Sequence, residues 1–387
     1  MSKETFIVQA SRSPIGAFGG ELSEFSSSQL GAKVISGLLD NINFDLDEIE
    51  EVIMGNVLSS GVGQAPARQA ALYAGLPNKV ECLTINKMCG SGLKAVMLAD
   101  NIIKSNGADL IIAGGMESMS NAPLLLSKSI NKIGHQKIID SMLHDGLWDA
   151  YNDMHMGNCA EMLAKEKNYS REEQDKYSIS SYKRAQYAQE KGYFTDEIIP
   201  ITNSKNISIL NDEEPGRAKF EKISKIRPAF EKDGTITAAN ASKLNDGAAA
   251  VMLMSEQHIE KFNIKPMARI LSHCSFAHDP KWFTTAPGHA IKKVLNKAGL
   301  SKEDIDLWEI NEAFAAVTMS AIDDFELDES KVNIHGGAVA LGHPIGASGA
   351  RILTTLIYAL ERMKKNIGLA TLCIGGGEAS VMIVEKL

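Results

Sequence analysis

Short apolar runs alternate with longer amphipathic segments along the first 120 residues of this chain. An extended run ends at Met88, and Gly90–Gly92 opens a segment of about fifteen residues with helical spacing. The apolar run Leu110–Ala113 follows and stops on Gly114 and Gly115. Strand, turn, helix and strand in this order predict a parallel β-α-β unit.

The C-terminal part of the chain repeats this pattern. Residues 303–315 (EDIDLWEINEAFA) resemble residues 47–57 (DEIEEVIMGNV), and residues 342–351 (GHPIGASGAR) open a helix as residues 90–92 do. The apolar run Leu369–Ile374 then stops on glycines, as the first run did. Matching elements in the same order predict two duplicated α/β halves. We expect the halves to pack face to face, with their glycine-rich turns meeting at one site.

Between the halves the composition changes, with more Met, Lys, Tyr and Ser and with helical spacing over Ser170–Lys191. This stretch predicts an inserted, mostly helical loop domain at residues 121–236. The strand pattern resumes at Ala248–Met254. We therefore expect an N-terminal half at residues 1–120, completed by residues 237–265, and a C-terminal half at residues 266–387.

Composition and charge narrow the class of function. Apolar residues make up 44% and charged residues 23% of the chain, as in globular proteins. The net charge of −8 disfavours nucleic acid as a partner. The five cysteines lack metal-ligand spacing and suit a reducing compartment, so no metal site is expected. No apolar run approaches the roughly 20 residues of a membrane span and no signal sequence is recognisable, which predicts a cytoplasmic protein.

Four residues carry candidate chemistry at the predicted turns and strand ends. Cys89 precedes a helix start, whose partial positive charge favours the thiolate, although a lone cysteine is also compatible with an inert, buried side chain. His343, Cys373 and Asn311 lie in the second half. If the halves pair as the repeat predicts, a Cys–His nucleophile and oxyanion donors converge.

Eight motifs, in the right order over essentially the whole chain, resemble those of the thiolase family. They are NKMCGSG from Asn86, GGMESMS from Gly114, HMG from His155, RPAF from Arg227, NASKLNDGAAA from Asn240, NEAFA from Asn311, GGAVALGHPIGASGAR from Gly336 and CIGGG from Cys373. The resemblance implies an α/β, thiolase-like fold, in which the two halves form a layered α-β-α-β-α core that carries the inserted loop domain.

The resemblance also implies roles for the reactive residues. Cys89 matches the residue that holds an acyl group as a thioester, and His343 matches the base that takes its proton. Cys373 matches the second cysteine, which removes a proton α to a thioester carbonyl and for this purpose needs a lowered pKa. The backbone N–H groups of Cys89 and Gly375 match one oxyanion hole, and His343 with a water held by Asn311 matches the other.

Further residues match the coenzyme A site of the family. Ser242 is assigned to the pantetheine region, His155 to the loop over it, and Arg217 is a candidate for the nucleotide end. Ser242 is equally compatible with a helix cap, and Arg217 lies in a segment that aligns poorly. The remaining binding residues are Met156, near the acyl group, Ala238 and Phe314. No cofactor is implied, since coenzyme A thioesters are the substrates.

Thiolases act either on acetoacetyl-CoA or on a broad range of chain lengths. Residues 145–157 (DGLWDAYNDMHMG) resemble the acetoacetyl type, and Phe283 follows Trp282 where bacterial members often have smaller residues. A bulky Phe283 should shorten the acyl pocket, although both aromatics are also compatible with loop packing. We expect reversible, ping-pong condensation of two acetyl-CoA molecules to acetoacetyl-CoA and CoA.

Two other functions stay open. A broad-range 3-ketoacyl-CoA thiolase of fatty-acid β-oxidation is distinguished by activity on long substrates. A non-catalytic, thiolase-like lipid carrier would not need the four reactive residues. The resemblance implies a homodimer, and further a homotetramer in which the insert joins two dimers, but it does not fix the direction of flux.

Overall fold

The computed structural model describes residues 3–40, 42, 44–128 and 135–387. In the first part of the chain, strands alternate with helices. The strands are β1 Thr5–Arg12, β2 Gly16–Ala17, β3 Glu51–Gly55, β4 Glu81–Ile85 and β5 Leu110–Ser118, and the helices are α1 Ser27–Leu39, α2 Pro66–Tyr73 and α3 Ser91–Lys104. A capping box between Ser26 and Gln29 starts α1, and the proline at its first position starts α2.

The next stretch contains two long helices and three short hairpins. Its strands are β6 Leu124–Leu126, β7 Ile138–Asp140, β8 Trp148–Asp149, β9 Met154–His155, β10 Ile201–Thr202 and β11 Ser208–Ile209, and its helices are α4 Met156–Glu166, α5 Arg171–Glu190, α6 Glu214–Arg217 and α7 Phe220–Ile223. The strands pair β6 with β7, β8 with β9, and β10 with β11. A capping box between Ser170 and Glu173 starts α5.

The remaining elements return to the alternating pattern. The strands are β12 Asn245–Ser255, β13 Ala268–Ala277, β14 Leu307–Ile310, β15 Ile367–Ile374 and β16 Glu378–Lys386, and the helices are α8 Glu256–Phe262, α9 Ala286–Ala298, α10 Ala315–Phe325, α11 Ala338–Leu341 and α12 Ser348–Met363. Gly299, with a φ of 68°, ends α9 in the left-handed region. None of the helices within the described ranges is both long and apolar enough to cross a bilayer.

A ten-stranded mixed sheet is built from two groups of strands, and the strands of the second group occupy the same relative positions as β1, β12, β5 and β3 of the first. The first group runs β1-β12-β5-β3-β4, with β2 paired to β12, and the second runs β13-β16-β15-β14. The groups join where β1 pairs antiparallel with β13. Because β3 pairs parallel with both β4 and β5, the predicted β-α-β unit is confirmed. β12 pairs with β1 and β5 of the first half, while the domain boundaries at residues 120, 236 and 265 stay predictions.

Five layers result from the packing of helices on these strands. Apolar residues of α3 and α12 form one buried core with residues of both strand groups. Helices α1 and α2 cover the first group on its other side, and α9 and α10 cover the second. The predicted α-β-α-β-α architecture is confirmed. The starts of α3 and α12 touch, since a Cβ added to Gly92 would collide with Ala350 and one added to Gly349 would collide with Leu93.

Strand β5 continues past the point where the sequence pattern predicts its end. The prediction that it stops on Gly114 and Gly115 is wrong, because β5 stays paired with β12 as far as Ser118. The glycines are needed within the strand, since a Cβ on Gly114 would collide with Ala249 and one on Gly115 with the carbonyl of Gly346. The close approach brings the turn before α12 directly against β5.

Candidate active site

Cys89 lies in a tight turn between β4 and α3. The Ser91 hydroxyl accepts a hydrogen bond from the N–H of Lys87 (2.9 Å) and donates one to the carbonyl of Met88 (2.6 Å). The N–H of Met88 donates to the side-chain oxygen of Asn86 (2.9 Å), and the φ of Met88 is +46°. Local hydrogen bonds therefore hold a left-handed residue immediately before Cys89.

The Cys89 thiol keeps its proton in the free protein. Burial raises the pKa of the thiol to about 11, although the N–H groups of Gly375 and of Cys89 itself hydrogen-bond the sulfur and lower that pKa. The expectation that the helix start favours the thiolate is wrong, because the desolvation of a buried thiolate outweighs its stabilisation by two N–H groups. A neighbouring base has to accept the proton before the sulfur can react.

His343 is held from both sides by hydrogen bonds. Its backbone N–H donates to the side-chain oxygen of Asn245 (2.9 Å), and its Nδ1 lies 2.6 Å from the Ser348 hydroxyl. The same hydroxyl lies 2.9 Å from the carbonyl of Pro344, which can only accept, so hydrogen bonds to both partners require Nδ1 to donate to Ser348. The network therefore assigns the lone pair of the neutral imidazole to Nε2, which has no hydrogen-bond partner in the part of the chain that the structure describes.

His343 is a neutral base at physiological pH. Burial, helped by the positive charge of Arg351, lowers the pKa of the imidazole to about 3. Cys89 and His343 line the same cavity. General-base activation of a nucleophile requires an unprotonated base and a protonated thiol in one site, and this cavity contains both.

Cys373 is the penultimate residue of β15 and lies close to the nucleophile. Its thiol is fully buried, and burial, together with the repulsion that a Cys89 thiolate would exert, raises the pKa of Cys373 well above its usual value. The predicted lowering of this pKa is wrong, since the glycine-rich turn that follows does not offset the loss of hydration. Gly376 and Gly377 have φ values of 92° and 84°, so the chain reverses sharply after Gly375.

Asn311 follows β14 and is buried. Its N–H donates to the carbonyl of Thr371 (3.0 Å), which fixes the backbone against β15. The side-chain oxygen and nitrogen are both buried and, among the described residues, find no partner. An amide in this state is available to hydrogen-bond a ligand or a water molecule.

A cavity of about 270 Å³ opens between the two glycine-rich turns. Nine of the predicted site residues line it: Cys89, His155, Met156, Ala238, Ser242, Phe283, Phe314, His343 and Gly375. Most of the other lining residues are apolar, among them Met119, Leu147, Phe230 and Ile345. Cys373 belongs to the apolar cluster that contains Phe283 and Phe314. The cavity thus brings Cys89 and His343 together, whereas neither Cys373 nor Asn311 is among its lining residues, so the predicted convergence of all four groups stays a prediction.

Arg217 lies outside this cavity. It lines a second cavity of about 360 Å³, together with Lys219 and Lys222. Ala238 and Lys243 line both cavities, so the two adjoin. A ligand that reaches from Cys89 to Arg217 has to pass these two residues.

Glu117 joins the two halves and was not singled out from the sequence. Its carboxylate accepts hydrogen bonds from the Asn56 side chain (2.8 Å) and from the N–H groups of Val57 (3.1 Å), Leu58 (3.1 Å) and Gly346 (2.9 Å). Burial raises the pKa of Glu117 to about 7 in spite of these donors. Glu117 lies within the GGMESMS motif, and this position was the feature of the sequence that could have pointed to it.

Ser348 and Lys243 were also missed, although each lies in a quoted motif. Ser348 fixes the tautomer of His343, and Lys243 lies between the two cavities. The partners of Lys243 are backbone carbonyls, which a residue pattern does not indicate. Ser348 lies only five residues after His343, in the same motif, but the spacing alone does not show that the two side chains meet.

Comparisons with known proteins agree with this geometry. The family model described as thiolase, N-terminal domain, matches residues 5–257, and that described as thiolase, C-terminal domain, matches residues 264–386. Mitochondrial acetyl-CoA acetyltransferase of Mus musculus is 49% identical over 389 residues, which cover 99% of this chain and 91% of the relative. Acetyl-CoA acetyltransferase of Schizosaccharomyces pombe is 44% identical over 394 residues and 100% of both chains.

Solved structures extend the similarity to three dimensions. Acat5 thiolase from Ascaris suum in complex with coenzyme A superposes with a TM-score of 0.96 at 42% identity, covering 100% of both chains. Bacillus anthracis acetyl-CoA acetyltransferase superposes with a TM-score of 0.97 at 39% identity, covering 100% of this chain and 99% of the other. With matching domains, full-length relatives and a cavity shared by Cys89 and His343, the chain belongs to the thiolase family.

Proposed function

We propose that this chain is an acetyl-CoA C-acetyltransferase, an acyltransferase that reversibly condenses two acetyl-CoA molecules to acetoacetyl-CoA and CoA. The observation that carries the proposal is that a protonated Cys89 and the free Nε2 of His343 share one largely apolar cavity. The names of the full-length relatives support the same activity. The four reactive residues have no purpose in a lipid carrier.

The first half-reaction forms an acetyl thioester on Cys89. His343 Nε2 takes the thiol proton, and the sulfur attacks the carbonyl carbon of acetyl-CoA. The N–H groups of Cys89 and Gly375, which hydrogen-bond the sulfur in the free protein, would stabilise the negative oxygen of the tetrahedral intermediate. The C–S bond to CoA then breaks, and the imidazolium returns its proton to the departing CoA sulfur.

The second half-reaction requires a thiolate on Cys373. Because burial keeps this thiol protonated, its proton first passes to the neutral His343. The Cys373 thiolate then removes an α proton from a second acetyl-CoA, while protonated Nε2 and a water held by Asn311 stabilise the enolate oxygen. The carbanion attacks the acetyl group, acetoacetyl-CoA leaves, and Cys89 recovers its proton from His343.

Coenzyme A extends from the reactive cavity towards Arg217. Ser242 and His155 line the first cavity, where the pantetheine arm would lie. The basic residues Arg217, Lys219 and Lys222 of the adjoining cavity suit the phosphates and the adenine of the nucleotide end. No further cofactor is required, since both half-reactions use only thioesters and side chains.

The acyl end of the cavity is lined by bulky side chains. Phe283 is 2% exposed and packs in the cluster that contains Phe314 and Cys373, and Met156 lines the same cavity. A longer acyl chain would have to displace well-packed aromatic rings. This favours a two-carbon acyl group over the broad-range alternative.

The assembly expected from the sequence is a homodimer, with the insert joining two dimers into a tetramer. Among the described residues, no strand pairs with the outer side of edge strand β4, and this strand exposes Leu83. Helix α2, which packs on β4, exposes Tyr73, and both exposed side chains suit a dimer contact. The β6–β7 hairpin exposes Leu124 and Ile138, which suits the contact between dimers. A cytoplasmic location stays a prediction, and the names of several relatives are mitochondrial.

The test is the rate of thiolysis of acetoacetyl-CoA compared with a ketoacyl-CoA of about ten carbons, with Cys89→Ala as the control. We expect a strong preference for the short substrate and no turnover by the variant. Equal rates on both substrates would instead favour a broad-range thiolase. Equally negligible rates for the wild type and the variant would favour the carrier.

A further inference from the structure

Lys243 places a cation in a largely apolar cavity. Of the described residues that line the reactive cavity, it is the one lysine or arginine, and neither aspartate nor glutamate lines it. Its Nζ donates hydrogen bonds to the carbonyls of Ala241 (3.0 Å) and Val339 (3.4 Å). Nζ also lies 5.6 Å from the centre of the Tyr182 ring. An ammonium group held by two carbonyls has a fixed position, unlike a lysine at the surface.

The two carbonyls belong to the segments that carry Ser242 and His343. Ala241 immediately precedes Ser242, and Val339 lies in α11, which ends two residues before His343. Asn245, two residues after Lys243, accepts the N–H of His343. Residues 241–245 therefore hold the His343 segment at two points, and Lys243 supplies one of them.

The charge of Lys243 has defined surroundings. Burial lowers the pKa of its ammonium group to about 8, although the carboxylates of Glu214 and Glu312 raise that pKa. Glu312 is itself fixed by hydrogen bonds from Tyr177, Ser181, Asn333 and Val339. The titratable and charged groups lining the two cavities that Lys243 borders are Cys89, His155, Tyr182, Glu214, Arg217, Lys219, Lys222 and His343.

We propose that Lys243 is a positioning residue, whose fixed ammonium group ties the Ser242 segment to the segment carrying His343 and so aligns substrate with base. This inference rests on the proposed thiolase activity. Lys243 does not exchange a proton with the substrate. Its effect is on geometry, and a small misplacement of a base relative to its substrate lowers kcat more than a surface change does.

The test compares Lys243→Met, which keeps the length of the side chain, with Lys243→Ala, which leaves space for a small cation. For Lys243→Met we expect a fall in kcat of about tenfold and a smaller rise in KM for acetoacetyl-CoA. Ammonium or methylammonium ions should restore part of kcat in Lys243→Ala, and not in Lys243→Met. Lys33→Met, on the exposed face of α1, is the matched control.

The pH profile gives a second readout that a purely structural role would not change. The wild-type kcat should decline as the pH rises through about 8, where the ammonium group loses its charge, and the variants should lack this limb. Wild-type constants in Lys243→Met, or a loss of kcat that amines do not restore in Lys243→Ala, would overturn the proposal. If the wild type itself does not turn over acetoacetyl-CoA, the proposed function fails. In that case the role of Lys243 is tested by the increase in Tm that coenzyme A causes. If Lys243 positions the ligand, this increase should be smaller in Lys243→Met than in Lys33→Met.

Discussion

The two glycine-rich turns that begin α3 and α12 occupy equivalent places in the duplicated halves, yet they hold their reactive residues differently. The Cys89 sulfur accepts hydrogen bonds from two backbone N–H groups, and its turn is closed by local hydrogen bonds of Ser91. His343 is oriented by two side chains, Asn245 and Ser348. A nucleophile has to stay open to an approaching carbonyl, whereas a base has to keep one tautomer. The same backbone scaffold thus serves opposite requirements.

Replacement of the base, His343, should produce the largest difference in kcat between variants of the two turns. In His343→Ala, the thiol with a pKa of about 11 has no acceptor, and we expect kcat to fall by about a thousandfold. The rate at which acetyl-CoA acetylates Cys89, measured by mass spectrometry of the intact protein, should fall to the same degree. Rapid acetylation in this variant would show that the first turn activates its own thiol. Cys89→Ala is the control for labelling elsewhere.

Removal of the group that orients the base should have an intermediate effect. Ser348→Ala deletes the acceptor for Nδ1–H, so the imidazole no longer favours the tautomer with a free Nε2. We expect kcat to fall by about tenfold, the size of one hydrogen bond, with KM for acetoacetyl-CoA nearly unchanged. Ser91→Ala alters the serine of the other turn and is the natural comparison. An equal loss of kcat and of acetylation rate in both variants would contradict separate roles for the turns.

Glu117 links the turns, and its replacement should appear chiefly in stability. In Glu117→Gln, an amide NH2 faces N–H donors of Val57 and Gly346, which should cost about 1–3 kcal/mol of the free energy of unfolding. The burial-raised pKa of about 7, compared with 4.5 for a free carboxyl, means that the wild-type contribution is greatest below pH 4.5. It declines as the pH rises towards 7.

The decline in the free energy of unfolding between about pH 4.5 and pH 7 that Glu117 causes should be absent in Glu117→Gln. Urea unfolding at pH 5 and pH 7.5 measures it, with the exposed Glu81→Gln as control. Identical pH dependence in Glu117→Gln and the wild type would rule out Glu117 as its source.

The ion pair between Lys87 and Glu378 should matter least. It connects the residues flanking the Cys89 turn and the Gly375–Gly377 turn, but both side chains are partly exposed, and such pairs contribute about 0–1 kcal/mol. We expect Glu378→Gln to lower kcat by no more than about threefold at low salt and to leave it unchanged at high salt. A much larger loss of kcat that does not depend on salt would show that this ion pair is needed to hold the Gly375–Gly377 turn, and with it the N–H group of the oxyanion hole.

The sequence predicts the fold and nine residues that line the cavity, and the reason is physical. Repeated apolar spacing and glycines at close helix contacts, such as Gly92 and Gly349, leave a pattern that can be read along the chain. The end of β5 was misjudged because Gly115 looks like a terminator until the carbonyl of Gly346 is seen against it. The pKa of Cys89 was misjudged because the helix start is local, whereas burial depends on the whole fold.

The shared middle layer of α3 and α12 has a consequence for synthesis of the protein. The apolar face of α3 is complete at residue 104, but α12, which covers it, begins only at residue 348. At a ribosomal rate of about 5–20 residues per second, this face waits roughly 10 to 50 seconds for its partner. During that interval the nascent chain exposes an uncovered apolar surface. Its yield in a cell should therefore depend on chaperones that act before termination.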